Sequence, residues 1–114
     1  MDKKIYTVKE VCEKYSITRK TLFYYDRIGL LKPYSRSGAQ QHKMYTEDEL
    51  AVLERIIRLR RCGLSISEII SFMHCSSNPD RQKELLEKVM NRLRNDEKMK
   101  KTQIENLNDL MSKL

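Results

Sequence analysis

The stretch Thr18–Lys32, TRKTLFYYDRIGLLK, decides how this chain is to be read. Thr18 has the hydroxyl of a good N-cap, Leu22 and Ile28 fall where a short helix would turn inward, and Gly29 is a natural stop. Arg19, Lys20, Thr21, Tyr24 and Tyr25 are then left for a partner. Lys and Arg seek phosphates, while Thr and Tyr hydroxyls can bond to phosphates or base edges, so this combination predicts a helix that reads nucleic acid.

Composition supports the same class. The chain has 114 residues and a formal charge of +7. Residues 1–46 hold ten Lys or Arg against four Asp or Glu. A chain of this size fits one small domain with an appendage, burying about two thirds of its unfolded surface. Cys12, Cys62 and Cys75 are an odd number without C-x-x-C spacing, which argues against a disulfide framework and for a reducing, cytoplasmic setting. No run approaches the ~20 apolar residues that span a bilayer, so no membrane is expected.

Three S/T-x-x-E spacings mark helix starts: Thr7 to Glu10, Thr46 to Glu49 and Ser65 to Glu68. The first helix carries Val8, Val11, Cys12 and Tyr15 on one stripe and stops near Ser16. Thr18 then opens the second, giving a helix-turn-helix with the basic helix outside. Between Leu30 and Tyr45, Pro33, Ser35, Ser37 and Gly38 punctuate a small hairpin with a polar tip, a wing bearing Arg36, His42 and Lys43 within reach of a sugar-phosphate backbone. The third helix buries Leu50, Leu53, Ile56 and Ile57 and ends at Gly63. The fourth packs through Ile66, Ile69, Ile70 and Phe72.

The polar run at 76–79 is expected to link a DNA-binding domain, residues 1–75, to one long helix, residues 80–114. That helix would reach roughly 50 Å at about 1.5 Å per residue, and its seam falls on Leu86, Met90, Leu93, Glu97, Lys100, Ile104, Leu107, Met111 and Leu114. Seven of the nine are apolar. A parallel pair would set Glu97 against Glu97 and Lys100 against Lys100. An antiparallel homodimer in which opposed residue numbers sum to 197 sets Glu97 against Lys100 and every apolar seam residue from 86 to 111 against another.

These parts, in this order, resemble the MerR family of bacterial transcription regulators. The resemblance rests on YTVKEV, TLFYYDRIGLLKP, MYTEDEL and CGLSISEI, with residues 6–72 as the DNA-binding domain and 80–114 as the dimerisation helix. It implies a mainly α fold: a winged helix-turn-helix domain with a small β-hairpin wing, followed by a helix forming an antiparallel coiled coil. It also implies a homodimer on double-stranded promoter or operator DNA that bends and untwists the promoter spacer for RNA polymerase. An architectural or excisionase-like DNA-bending protein of a mobile element is the alternative function.

Some positions depart from the family pattern. Lys20 and Phe23 stand where Arg is frequent, Lys43 and His42 where the wing often has Arg and Tyr, and Ser16 where glycine is common in the turn. The DNA-binding set is therefore Thr18, Arg19, Lys20, Thr21, Tyr24, Tyr25, Arg36, His42 and Lys43. No cofactor is expected, and no metal, because residues 76–114 hold neither Cys nor His and His74–Cys75 alone cannot complete a tetrahedral site. No catalytic constellation is present, and an enzyme is not expected.

Overall fold

The computed structural model describes residues 4–37 and 42–114. The expected wing tip, residues 38–41, lies outside them. The chain divides into two compact units, Met1–Leu59 and Arg60–Leu114.

The first unit runs β1 (Tyr6–Thr7), α1 (Val8–Tyr15), α2 (Arg19–Arg27), β2 (Ser35–Ser37), β3 (His42–Tyr45) and the larger part of α3 (Glu47–Arg61). Thr7 and Glu10 close a full capping box at the start of α1, each side chain bonding the other's backbone N–H at 3.2 and 3.1 Å. At α3 the Glu49 carboxylate accepts from both the backbone N–H and the hydroxyl of Thr46. Thr18 caps α2 by accepting from the Thr21 N–H at 3.1 Å. Gly29, at φ +77°, lets the chain turn back so that the Leu30 and Leu31 N–H groups share the Tyr25 carbonyl.

The wing is part of a three-stranded antiparallel sheet in the order β1-β3-β2. β3 is central: Tyr45 and Met44 pair with Tyr6 and Thr7, while Met44, Lys43 and His42 pair with Ser35, Arg36 and Ser37. β1 was not expected, since two residues show no alternation from which a strand can be read. Val11, Leu22, Tyr45, Leu50, Leu53 and Ile56 form the deepest core. Tyr25 belongs to it too, at 2 % exposure, which corrects the expectation that both tyrosines of the pair stand outside.

The second unit contains the end of α3, α4 (Ile66–His74) and α5 (Pro79–Ser112). Ser65 and Glu68 form the box that starts α4. Asn78 caps α5 and Pro79 is its first residue, a position where a missing N–H costs nothing. The segment expected to link two domains is thus a tight turn between helices. Arg92 of α5 donates to the Glu68 carboxylate and to the Gly63 carbonyl, both at 2.8 Å. The Leu93 side chain lies 3.5 Å from where a Cβ on Gly63 would be. Bonding from Ser65, and then from Arg92, holds the Glu68 carboxyl below its ordinary range. Val89 and Ile69 are buried here. Among the described residues, no helix is long and apolar enough to cross a membrane.

Candidate nucleic-acid interface

The first unit brings α2 and the wing to one face. On α2, Arg19 and Lys20 are exposed, Tyr24 is 40 % exposed and Phe23 37 %. Thr18 and Thr21 bond to each other, the Thr18 hydroxyl donating to the Thr21 hydroxyl at 3.0 Å. Their first role is to start the helix. The Arg27 guanidinium sits 5.8 Å from the Tyr24 ring centre, and the Tyr24 and Tyr25 rings are tilted at 48° with centres 6.4 Å apart.

What joins helix to wing is an acid. Asp26 follows the tyrosine pair, faces inward with an 8 % exposed side chain, and receives Arg36 of β2 at 2.5 Å and Lys43 of β3 at 2.9 Å, one on each carboxylate oxygen. Lys43 also places its ammonium 4.0 Å from the centre of the Phe23 ring, a cation–π contact that fixes it further. Burial pushes the Asp26 carboxyl upward, but bonds and charges from Lys43 and Arg36 outweigh it and leave the group below its ordinary value. Two cations expected to be free for phosphates are therefore oriented by one carboxylate, with Arg36 at 41 % exposure still open to a partner and Lys43 at 19 % less so. His42 is exposed on β3 beside them.

Between these elements lies an open cleft of about 630 Å³ lined by Phe23, Asp26, Arg27, Gly29, Lys32, Arg36 and Lys43, among others. Arg27, Lys32 and Asp26 had not been assigned to the surface from sequence. Lys32 could have been, since it lies three residues past the helix stop at Gly29. The inward turn of Asp26 follows from its place four residues after Leu22, but the identity of its partners does not, because they are ten and seventeen positions away along the chain.

On α5 the expected seam is exposed along its length: Leu86 38 %, Met90 51 %, Leu93 42 %, Ile104 58 %, Leu107 58 %, Met111 62 % and Leu114 100 %, with Glu97 and Lys100 exposed at the centre. Cys12, Cys62 and Cys75 are free thiols, and burial raises the Cys12 thiol's pKa. Among the described residues, no three His, Cys, Asp or Glu side chains gather into a metal-sized group.

Residues 6–74 match the family described as MerR HTH family regulatory protein. A protein from Synechocystis named an uncharacterised HTH-type transcriptional regulator, slr0701, is 34 % identical over 71 residues, which is 62 % of this chain and 51 % of that one. This chain spans about half the length of the first curated relatives it matches. In fold it resembles the crystal structure of a MerR family transcriptional regulator from Bacillus cereus, with a TM-score of 0.83 at 22 % identity over 96 % of this chain and 82 % of that one. It is also similar in fold to EcmrR, seen by cryo-EM as a DNA complex in EcmrR-RPo, with a TM-score of 0.81 at 22 % identity over 94 % of this chain and 38 % of that one.

Proposed function

Since the chain belongs to the MerR HTH family of regulatory proteins, we propose that it is a sequence-specific, DNA-binding transcription regulator acting as a homodimer on promoter DNA in the cytoplasm. The observation that carries this reading is the shared face of α2 and wing, where Arg19, Lys20 and Tyr24 stand exposed beside Arg36 and Lys43. EcmrR, of like fold, is held on DNA. α2 enters the major groove with Arg19 and Tyr24 at base edges; Lys20, Arg36, His42 and Lys43 take phosphates on either side. Lys makes a point contact rather than the planar two-pronged one of Arg, so Lys20 anchors rather than reads guanine. Bending and untwisting of the promoter spacer, with RNA polymerase as the second partner, is the mode of action.

The two copies pair through α5 in antiparallel sense with opposed numbers summing to 197, a twofold pair that matches a twofold operator. Selection of bound genomic fragments, followed by footprinting, tests the function directly. Protected sites in promoter spacers are expected, and sites scattered without relation to promoters would overturn it. Two classes of variant then separate the surface. Arg36→Ala should weaken binding to all sequences alike and flatten the salt dependence by about one unit. Arg19→Ala should cost roughly 1–3 kcal/mol and relax preference at one base position. For the register, in a cysteine-free background a mixture of Leu93→Cys chains with Ile104→Cys chains should yield covalent heterodimers on oxidation; efficient self-linking of single variants at matched numbers along the helix would instead establish a parallel coil.

A further inference from the structure

β3 carries a hydroxyl with nothing to hold. Tyr45 is fully buried, and its phenol oxygen has no hydrogen-bond partner among the described residues. Buried polar atoms are paired in the great majority of cases, so an orphan on the central strand of a sheet calls for an explanation. Alternation along β3 puts Tyr45 on the same face as Lys43, two residues before it, and strand pairing sets Arg36 beside Lys43 on that face. This face is the one turned to Asp26, since both cations reach that carboxylate. Asp26, Cys12 and Arg36 are the groups whose charge bears on the Tyr45 phenol, and of these only the Asp26 carboxylate is a strong acceptor.

In the free protein that acceptor is occupied. Arg36 takes one Asp26 oxygen through Nη2, and Lys43 takes the other. Lys43 is the better fixed of the two, being largely buried and seated on the Phe23 ring as well. Arg36 is the more exposed, and it is a cation assigned above to phosphate. A phosphate that draws the guanidinium outward strips a partner from an acid whose side chain is only 8 % exposed, and that loss works against binding.

We infer that Tyr45 is a positioning residue for DNA binding: its hydroxyl donates to the Asp26 oxygen that Arg36 vacates when the guanidinium turns to a phosphate, and so releases Arg36 without stranding the acid. The inference rests on the DNA-binding reading proposed above. Tyr45 itself touches neither base nor phosphate. Lys43 stays on the second oxygen throughout, so α2 and the wing remain tied while Arg36 changes partners. The phenol, pushed up to about 12, keeps its proton at neutral pH and is there to donate it in a hydrogen bond. The unpaired hydroxyl of the free state is thus the bond made in the bound one.

The test is a cycle of Tyr45→Phe and Arg36→Ala in the full chain. Each variant is read in urea stability and in affinity for a random-sequence duplex at one low salt concentration, because a phosphate contact does not depend on sequence. In the parent background Tyr45→Phe should leave stability undiminished and weaken DNA binding about tenfold, the worth of a hydrogen bond to a charged group. In the Arg36→Ala background the Asp26 oxygen is vacant even without DNA, so the effect should move. There Tyr45→Phe should lower the folding equilibrium constant about tenfold and leave the residual DNA affinity unchanged. A hydroxyl that only fills space in the core would show no such dependence on Arg36. Parent-like DNA binding by Tyr45→Phe, an equal loss of affinity in both backgrounds, or a stability effect that ignores Arg36 would each overturn the inference. A parent chain that bound no duplex would sink the functional reading instead, and the stability half of the cycle would still decide whether Tyr45 replaces Arg36 on Asp26.

Discussion

Replacing Asp26 by Asn keeps the shape of the side chain and removes the charge that ties α2 to the wing. The loss can be sized contact by contact. Lys43 is 19 % exposed and bonds Asp26 at 2.9 Å, so the charge-assisted bond is worth about 1.5–2 kcal/mol. Arg36 approaches closer, at 2.5 Å, but is 41 % exposed, so solvent screening reduces its share to under about 1 kcal/mol. Part of this is offset because a neutral amide is cheaper to bury and still accepts one hydrogen bond. The net expectation is a loss of about 2 kcal/mol at neutral pH, a noticeable part of the 5–15 kcal/mol that holds a typical domain together.

The pH dependence supplies the stricter check. The folded carboxyl lies below its ordinary value, so its contribution is present above the unfolded value of about 4 and is lost as pH falls through the folded one. Urea titrations of parent and Asp26→Asn at a series of pH values should therefore show a gap that is constant from neutrality down to about pH 5 and closes below about pH 4. A variant as stable as the parent at pH 7, or a gap indifferent to acid, would refute the idea that this carboxylate is what clasps the wing. The clasp has a second readout. Freed of Asp26, Arg36 and Lys43 gain mobility and the surface gains one net positive charge, so binding to random DNA should strengthen while discrimination for the operator falls.

Further substitutions test local features. Ser16 sits at φ 54° at the end of α1, a left-handed position that costs a non-glycine residue about 1–2 kcal/mol, so Ser16→Gly should raise stability by about 0.5–1 kcal/mol after the greater freedom of unfolded glycine is deducted; a less stable variant would count against it. The Tyr45 hydroxyl is buried with no hydrogen-bond partner among the described residues, so Tyr45→Phe should match the parent or exceed it by up to about 1 kcal/mol at neutral pH, and a clear loss would reveal a bond made by that oxygen. Burial first, and the Asp26 charge second, push this phenol up to about 12. Its share of stability is therefore present below an unfolded value of about 10 and lost as pH rises past it, a loss that Tyr45→Phe should remove from alkaline titrations.

The features that could be read in the sequence are those whose causes lie within four residues. Each capping box pairs a hydroxyl and a carboxylate three positions apart, so Thr7, Thr46 and Ser65 announce their helices without help from the rest of the chain. Gly29 and Gly63 mark helix ends because the bonds that need them close locally. The length of α5 follows from the lack of any glycine or proline after Pro79. The wing's two main strands were legible from their turn residues. β1 was not, because its partner is β3, nearly forty positions away, and two residues carry no period.

The tyrosine pair shows where local reading stopped short although the signal was present. Leu22, Tyr25 and Asp26 stand at i, i+3 and i+4 of one helix, so the face that buries Leu22 must carry the other two inward. Composition made Tyr24 and Tyr25 look equivalent, but the helical period separates them: one ring joins the core and the other remains on the surface with Arg27 beside it. The same period directs Asp26 inward, where an unpaired carboxylate would be costly. From the fold of α2 alone, then, some cation must come back to meet it, and a hairpin that places Arg36 and Lys43 directly opposite one another on adjacent strands delivers both. The wing's position is thus as much a consequence of a buried acid on the recognition helix as of the hairpin's own turn chemistry. In a DNA-binding protein, cations held at a fixed distance from an exposed helix face position the two elements together, which a mobile, unpaired charge would not do.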